Sequence, residues 1–167
     1  MLSKELQELV TISCVDVHES WLPDSSVSLD AGTYSIFDFG VNLSGFLGAR
    51  IRCTEDTRLV FVFDEVLSDK DVDFKRLGCV NAISFQMPAG EYEVESFEPY
   101  TLKYLKIIVL EGACSVSGIY LRELTNPDVF AASFQCSDER LNRIFEAGLQ
   151  TFKQNAVDIF MDCPSRE

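Results

Sequence analysis

A single histidine, a single tryptophan and only 14 basic residues against 27 acidic ones set the first limits on this 167-residue chain. The formal charge of −13 argues against a nucleic-acid surface, which needs clustered lysine and arginine, and against docking on anionic lipid. His18, alone and with no nucleophile arranged around it, makes no catalytic triad and reads as a strand end or loop residue. The six cysteines (Cys14, Cys53, Cys79, Cys114, Cys136 and Cys163) include no C-x-x-C pair, which together with the lone histidine argues against a zinc site. No run approaches the roughly 18 apolar residues that span a bilayer. The N-terminal stretch, Met1-Leu2-Ser3-Lys4-Glu5-Leu6-Gln7-Glu8-Leu9-Val10, mixes polar and apolar residues and is no signal peptide. It reads as a short amphipathic turn of helix.

What is present is apolar and aromatic. A hydrophobic fraction of 47% with 13 phenylalanines implies a folded chain with a substantial core. Such a core needs no disulfide staples, and several cysteines fall inside apolar strand patterns, so all six read as reduced thiols. Ile12-Ser13-Cys14-Val15-Asp16-Val17 alternates like a strand, and Trp21-Leu22-Pro23-Asp24-Ser25-Ser26 reads as a loop. From residue 34 to about 129, short β-type runs alternate with turn signals. Residues 34–39 are aromatic and β-branched, with Gly40 as their stop. Residues 43–48 lead into 49–53, which alternate at period 2, and 58–63 are apolar on both faces, as an inner strand is. Further runs fall at 79–87, 92–97, 102–110 and 116–124, with 129–135 as a possible last one. About seven strands in about 100 residues, with no helical pattern between them, predict an all-β antiparallel sandwich, jelly-roll-like, rather than a parallel fold with crossover helices.

After Asn126-Pro127-Asp128 the period changes. Ser137 is the expected N-cap, Asp138 and Glu139 suit the positive end of a helix dipole, and Leu141, Ile144, Phe145, Leu149 and Phe152 form an apolar stripe over roughly 17 residues. Gly148 on that stripe suggests the close approach of a neighbour. The organisation expected is an N-terminal segment (1–27), a β-sandwich (28–136) and the opening of a helical domain (137–167). The exposed stripe could also drive self-association.

Three groups are candidates for chemistry. Asp162-Cys163-Pro164-Ser165-Arg166-Glu167 sets carboxylates beside an arginine on a backbone fixed by proline, an arrangement that can orient a hydroxyl-rich ligand or hold a general acid. A charged tail is the plainer account. Asp69, Asp71 and Asp73 resemble the start of a calcium loop, but Phe74 stands where such a loop needs glycine and Val80 where it needs a bidentate glutamate. A solvated acidic loop fits them better. Trp21, Tyr92, Tyr100 and Tyr104 could form a sugar-stacking platform, although aromatics at strand positions usually belong to a core.

Taken together, Asp38-Phe39-Gly40-Val41-Asn42-Leu43-Ser44-Gly45, Phe134-Gln135-Cys136-Ser137-Asp138-Glu139-Arg140-Leu141, Asn155-Ala156-Val157-Asp158 and the closing Asp162-Cys163-Pro164-Ser165-Arg166-Glu167 resemble the bacterial α-L-rhamnosidases of glycoside hydrolase family 78. In that family a sandwich bearing D-F-G-x-N-x-x-G leads into an (α/α)6 barrel whose early part carries D-C-P-x-R-E. The resemblance implies that Glu167 is the general acid of an inverting glycosidase and that Asp162 and Arg166 bind rhamnose hydroxyls. The ligand is then a rhamnose-containing oligosaccharide or glycoside, with no metal or organic cofactor. An inverting mechanism needs a second carboxylate roughly 6.5–9.5 Å away, which the family draws from later in the barrel, so the 167-residue piece is expected to be inactive alone. Its compartment, bacterial cytoplasm or periplasm, stays open. The other readings are a self-contained carbohydrate-binding module and a structural accessory domain.

Overall fold

One 20-residue strand ties the architecture together. The computed structural model describes residues 17–21, 26–76, 78–126, 129, 131–157 and 160. Among the described residues the strands are β1 (Val17–Trp21), β2 (Val27–Asp30), β3 (Tyr34–Cys53), β4 (Thr57–Asp64), β5 (Ala82–Met87), β6 (Gly90–Glu95), β7 (Tyr100–Glu111) and β8 (Ala113–Glu123), followed by the helix α1 (Glu139–Asn155). The first half of β3 pairs with β1 and β7, and its second half pairs with β6 and β8. β4 and β5 extend the β7 side, and β2 extends the β8 side. β3 therefore runs from one layer of a sandwich into the other.

Gly40 does not end this strand, contrary to the expectation from its composition. Its φ of +82° is readily available to glycine, and it lies where the β3–β7 register shifts between Asp38 and Leu43. The chain bends there and continues. Trp21, expected in a loop, closes β1, which pairs in parallel with β3 from Val17↔Tyr34 to Trp21↔Asp38. The other pairings are antiparallel. In the stretch 129–135, expected as a last strand, residues 132–135 are irregular, and Ala132 N–H instead closes a turn on the Val129 carbonyl at 3.3 Å. Residues 12–16 lie outside the described residues.

The main core fills the space between the layers. Phe37, Leu59, Phe61, Phe63, Leu105, Ile107 and Val109 come from one, and Leu47, Ala49, Ile51, Cys53, Cys114 and Val116 from the other. Each large side chain taken fully from water contributes about 1.5–3 kcal/mol. A second cluster explains why β4 is apolar on both faces. Tyr34, Ile36, Val60, Val62 and Ile108 point away from the main core and are covered by Val72, Leu67 and Phe74 of the loop after β4. Lys106 pins this cover from below: its buried Nζ lies 2.8 Å from both Asp71 carboxylate oxygens and 3.9 Å from the centre of the Tyr34 ring.

The helix follows the expected stripe but starts one residue later. Asp138, not Ser137, is the N-cap, and its carboxylate accepts from Arg140 N–H at 2.9 Å. A carboxylate can serve there because the first-turn N–H groups have no partner within the helix. Hydrogen bonds from the backbone and guanidinium of Arg140 hold the Asp138 carboxyl below its usual range. Leu141, Ile144 and Phe152 stay exposed, and nothing described lies within contact of a Cβ placed at Gly148. The close neighbour expected at that glycine is absent among the described residues. No described helix is long and apolar enough to cross a membrane.

Candidate functional site: the sandwich–helix junction

The bend in β3 is also where the helix is tied down. Asp38 Oδ1 accepts from Gly40 N–H at 2.6 Å, holding the turn that presents Asn42. Asn42 then faces two ways: its side-chain amide donates to Glu65 Oε1 at 2.9 Å, and its carbonyl accepts from Gln154 Nε2 at 2.7 Å. Gln154, buried in the last turn of α1, also accepts from Ser44 Oγ at 3.2 Å through its own Oε1. Ser44 Oγ lies 2.7 Å from Thr101 Oγ1. A serine hydroxyl has one proton, so with Ser44 donating to Gln154, Thr101 must be the donor to Ser44. One helix side chain thus reads both the backbone and a side chain of the bend.

Beneath Asn42 the chain of contacts continues into charge. Glu65 lies 3.5 Å from Arg76, whose guanidinium grips Asp64 with two bonds of 2.6 and 2.7 Å. Asp64 is 1% exposed, and its hydrogen bond to Arg76 raises the arginine's already high pKa further. The two-bond geometry is what a buried carboxylate needs to offset its lost hydration. The Asn42 Oδ1 atom is buried and has no hydrogen-bond partner among the described residues.

The far side of the junction is equally specific. At Gly45 a Cβ would fall 2.2 Å from the Arg122 carbonyl oxygen, so β3 and β8 approach at a distance only glycine permits. Leu124 N–H donates to the Ser44 carbonyl, Asn126 N–H donates to the Lys153 carbonyl, and Lys153 is salt-bridged to Glu123. The outgoing linker is therefore bonded to both the bend and the helix end. At the other end of α1, the Asn142 side chain bonds both the N–H and the carbonyl of Cys136 at 2.8 and 3.0 Å, and Phe134 packs on Phe145 with ring centres 5.3 Å apart. Phe152 and the exposed Phe160 lie 6.0 Å apart.

Asp162, Arg166 and Glu167 lie outside the described residues, as do Asp158 and Cys163. Tyr92, Tyr100 and Tyr104 do not form one platform. Tyr92 and Tyr100 pack on the main core, the latter 4.7 Å from Phe63, whereas Tyr104 joins the second cluster. His18 and Trp21 belong to β1. The acidic loop is built into the fold: Ser68 and Asp71 exchange backbone bonds of 2.8 and 2.9 Å around Asp69 and Lys70, both at positive φ. Asp71 binds Lys106, and Asp73 accepts from Lys75 N–H. Among the described residues no three histidine, cysteine, aspartate or glutamate side chains gather to hold a metal. Cys53, Cys79, Cys114 and Cys136 are free thiols; Cys53 and Cys114 face each other in register, and burial pushes Cys114 up to about 11.

Composition gives no warning of Gln154, since a polar residue in an amphipathic helix ordinarily faces water. The available signal is positional: Gln154 lies off the stripe of Leu141, Ile144, Phe145 and Phe152, at the end nearest the linker.

Residues 130–167 match the family model described as the bacterial alpha-L-rhamnosidase 6 hairpin glycosidase domain. An alpha-L-rhamnosidase of Alteromonas sp. (strain LOR) is 23% identical over 137 residues, 79% of this chain and 15% of that protein. Among solved structures, a GH78 family rhamnosidase of Bacillus sp. GL1 is 26% identical with a TM-score of 0.72, covering 86% of this chain and 15% of that one. A rhamnosidase from Klebsiella oxytoca with rhamnose bound superposes with a TM-score of 0.74 at 20% identity, over 84% of this chain and 30% of that one. The 167 residues thus span between 15% and 30% of the length of these relatives. In its sandwich, and in the helical segment tied to the bend of β3, the chain resembles the bacterial α-L-rhamnosidases of glycoside hydrolase family 78.

Proposed function

We propose that this chain is part of an inverting glycoside hydrolase that removes terminal α-L-rhamnosyl residues. The observation that carries this reading is the family match over residues 130–167, the segment that contains the helix anchored by Gln154 and, after it, Asp162-Cys163-Pro164-Ser165-Arg166-Glu167. In this reading Glu167 is the general acid that protonates the departing oxygen, and Asp162 with Arg166 holds the rhamnose hydroxyls. A carboxylic acid suits the first task when its environment raises its pKa, and a carboxylate–guanidinium pair suits the second because one accepts and the other donates. The second carboxylate, which activates water on the opposite face of the sugar, is assigned to residues beyond these 167. The sandwich acts as a brace: the hydrogen bonds between Gln154 and the bend of β3 fix the end of α1, and so the direction in which the chain enters the catalytic segment.

The test has two arms. The 167-residue chain should not release nitrophenol from p-nitrophenyl α-L-rhamnoside, and measurable turnover would refute the division of the site. In the protein that contains the whole helical domain, Glu167→Gln should lower kcat by at least about a hundredfold, the low end for loss of a general acid. The released sugar should be the β anomer when first formed. Full activity of the Glu167→Gln protein, or an α product, would end the proposal.

A further inference from the structure

We propose that the outward face of β3, β6 and β8 is a binding groove for a neutral oligosaccharide. Strand pairing lines up Glu93, Arg50 and Ser117 in one row and Glu91, Arg52 and Ser115 in the next. A groove of about 400 Å³ lies over these rows and reaches Ser26. The two pairs, Arg50 Nε to Glu93 at 3.2 Å and Arg52 Nε to Glu91 at 3.5 Å, are open to water on both sides.

Farther along the same face lies an aromatic ring. Tyr120 lies against the backbone of β3 at Gly48, where a Cβ would come within 2.2 Å of its ring Cζ. Only glycine leaves room for it. The Tyr120 hydroxyl donates to Glu95 Oε2 at 3.1 Å, and Glu95 is in turn held by two bonds from Arg122 of 3.0 and 2.6 Å. The ring is oriented by its neighbours, yet Tyr120 remains 42% exposed.

A pyranose ring has an apolar face of C–H groups and a rim of hydroxyls that both donate and accept. A fixed, half-exposed tyrosine suits the face. Arginine donors, glutamate acceptors and serine hydroxyls suit the rim. The two arginines and two glutamates lining the groove cancel in charge, which favours a neutral polyol over an anion or a cation. Exposed ion pairs of this kind contribute only about 0–1 kcal/mol each, so stability alone gives little reason for the array. Its lining is polar, whereas the centre of a protein–protein interface is apolar and poor in charge.

The experiment is a two-dimensional amide NMR titration of the 167-residue chain with cellohexaose, xylohexaose, a rhamnosyl oligosaccharide and, as an anionic counterpart, oligogalacturonate. At least one neutral sugar should give saturable shifts at Arg50, Arg52, Ser117 and Tyr120 below about 10 mM. Tyr120→Ala should weaken that binding about tenfold or more. Because both ion pairs are exposed, the Arg50→Ala/Arg52→Ala double variant should stay folded, and it too should weaken binding. The inference is overturned by no saturable shift with any neutral sugar, by tighter binding of oligogalacturonate, or by shifts that both variants leave unchanged. It is also overturned if the face shifts with protein concentration in the absence of sugar, which would make it a contact between copies. None of these results depends on Glu167, so the groove and the hydrolase reading fail separately.

Discussion

Strand β3 carries two polar networks, and they differ mainly in whether water reaches them. At its bend, Asn42 and Ser44 connect to Glu65, Arg76, Asp64, Thr101 and Gln154 through hydrogen bonds and one 3.5 Å ion pair, with Ser44, Asp64, Thr101 and Gln154 buried. Near its end, Arg50 and Arg52 pair directly with Glu93 and Glu91 at 3.2 and 3.5 Å, with both pairs exposed to solvent. In the first network, breaking a bond leaves a polar atom that water cannot readily serve, so one geometry is strongly favoured. In the second, water replaces a lost partner at little cost, and so can a ligand. The same residue types fix a fold in one place and remain available in the other.

The most severe way to break this contrast is Arg76→Ala. It leaves the Asp64 carboxylate, 1% exposed, without its two-bond partner. The expected loss is about 3 kcal/mol, the low end for breaking a buried pair because the Arg76 side chain is 29% exposed. Urea unfolding followed by circular dichroism measures it. A loss under about 1 kcal/mol would place this pair with the exposed ones and erase the distinction.

A smaller but more local effect is expected from Gln154→Ala. It removes the donor to the Asn42 carbonyl and the acceptor for Ser44, for about 1–2 kcal/mol. Hydrogen exchange should then speed up in the last turns of α1 while the amides of β7 hold their protection. Equal acceleration in β7 would mean that helix and sandwich open as one unit, and that Gln154 is no separate anchor.

The uneven legibility of these networks has a physical cause. Alternation at residues 49–53 and the two-faced apolarity of 58–63 reveal their strands because burial acts on every second or on every side chain. The helix is legible from its 3.6-residue apolar period, the stripe of Leu141, Ile144, Phe145 and Phe152, even though Leu141, Ile144 and Phe152 are exposed among the described residues. Gly40 is read wrongly because a glycine that stops a strand and one that bends it look alike; only its pairing on both sides separates them. Lys106, Asp64 and Gln154 are opaque for another reason. Polar residues signal solvent on average, and their burial depends on partners 35, 12 or 112 positions away. The D-C-P-x-R-E ending gains its meaning from resemblance to a family, since composition alone leaves it a charged tail.

The exposed face sharpens the comparison from the weak side. Arg52→Ala should change stability by less than about 0.5 kcal/mol. A loss comparable to that of Arg76→Ala would contradict the idea that the outer array is free to be remade. The smallest effect expected is one of pH. Hydrogen bonding from Arg122 holds the Glu95 carboxyl below its ordinary value, and the Tyr120 hydroxyl adds to this. A depressed carboxyl stabilises the folded state above the unfolded-chain pKa and loses that contribution as pH falls through the folded one. The loss therefore belongs below about pH 4.3, on the acid side of an ordinary glutamate. Because water already surrounds this pair, the effect should be hard to see in unfolding curves and plain in a carboxyl-carbon NMR titration. Arg122→Ala should return Glu95 toward the ordinary range and loosen the Tyr120 ring with it. If Glu95 instead titrates normally in the unaltered chain, the tyrosine is not held from below, and the ordered ring that would meet a sugar loses its support.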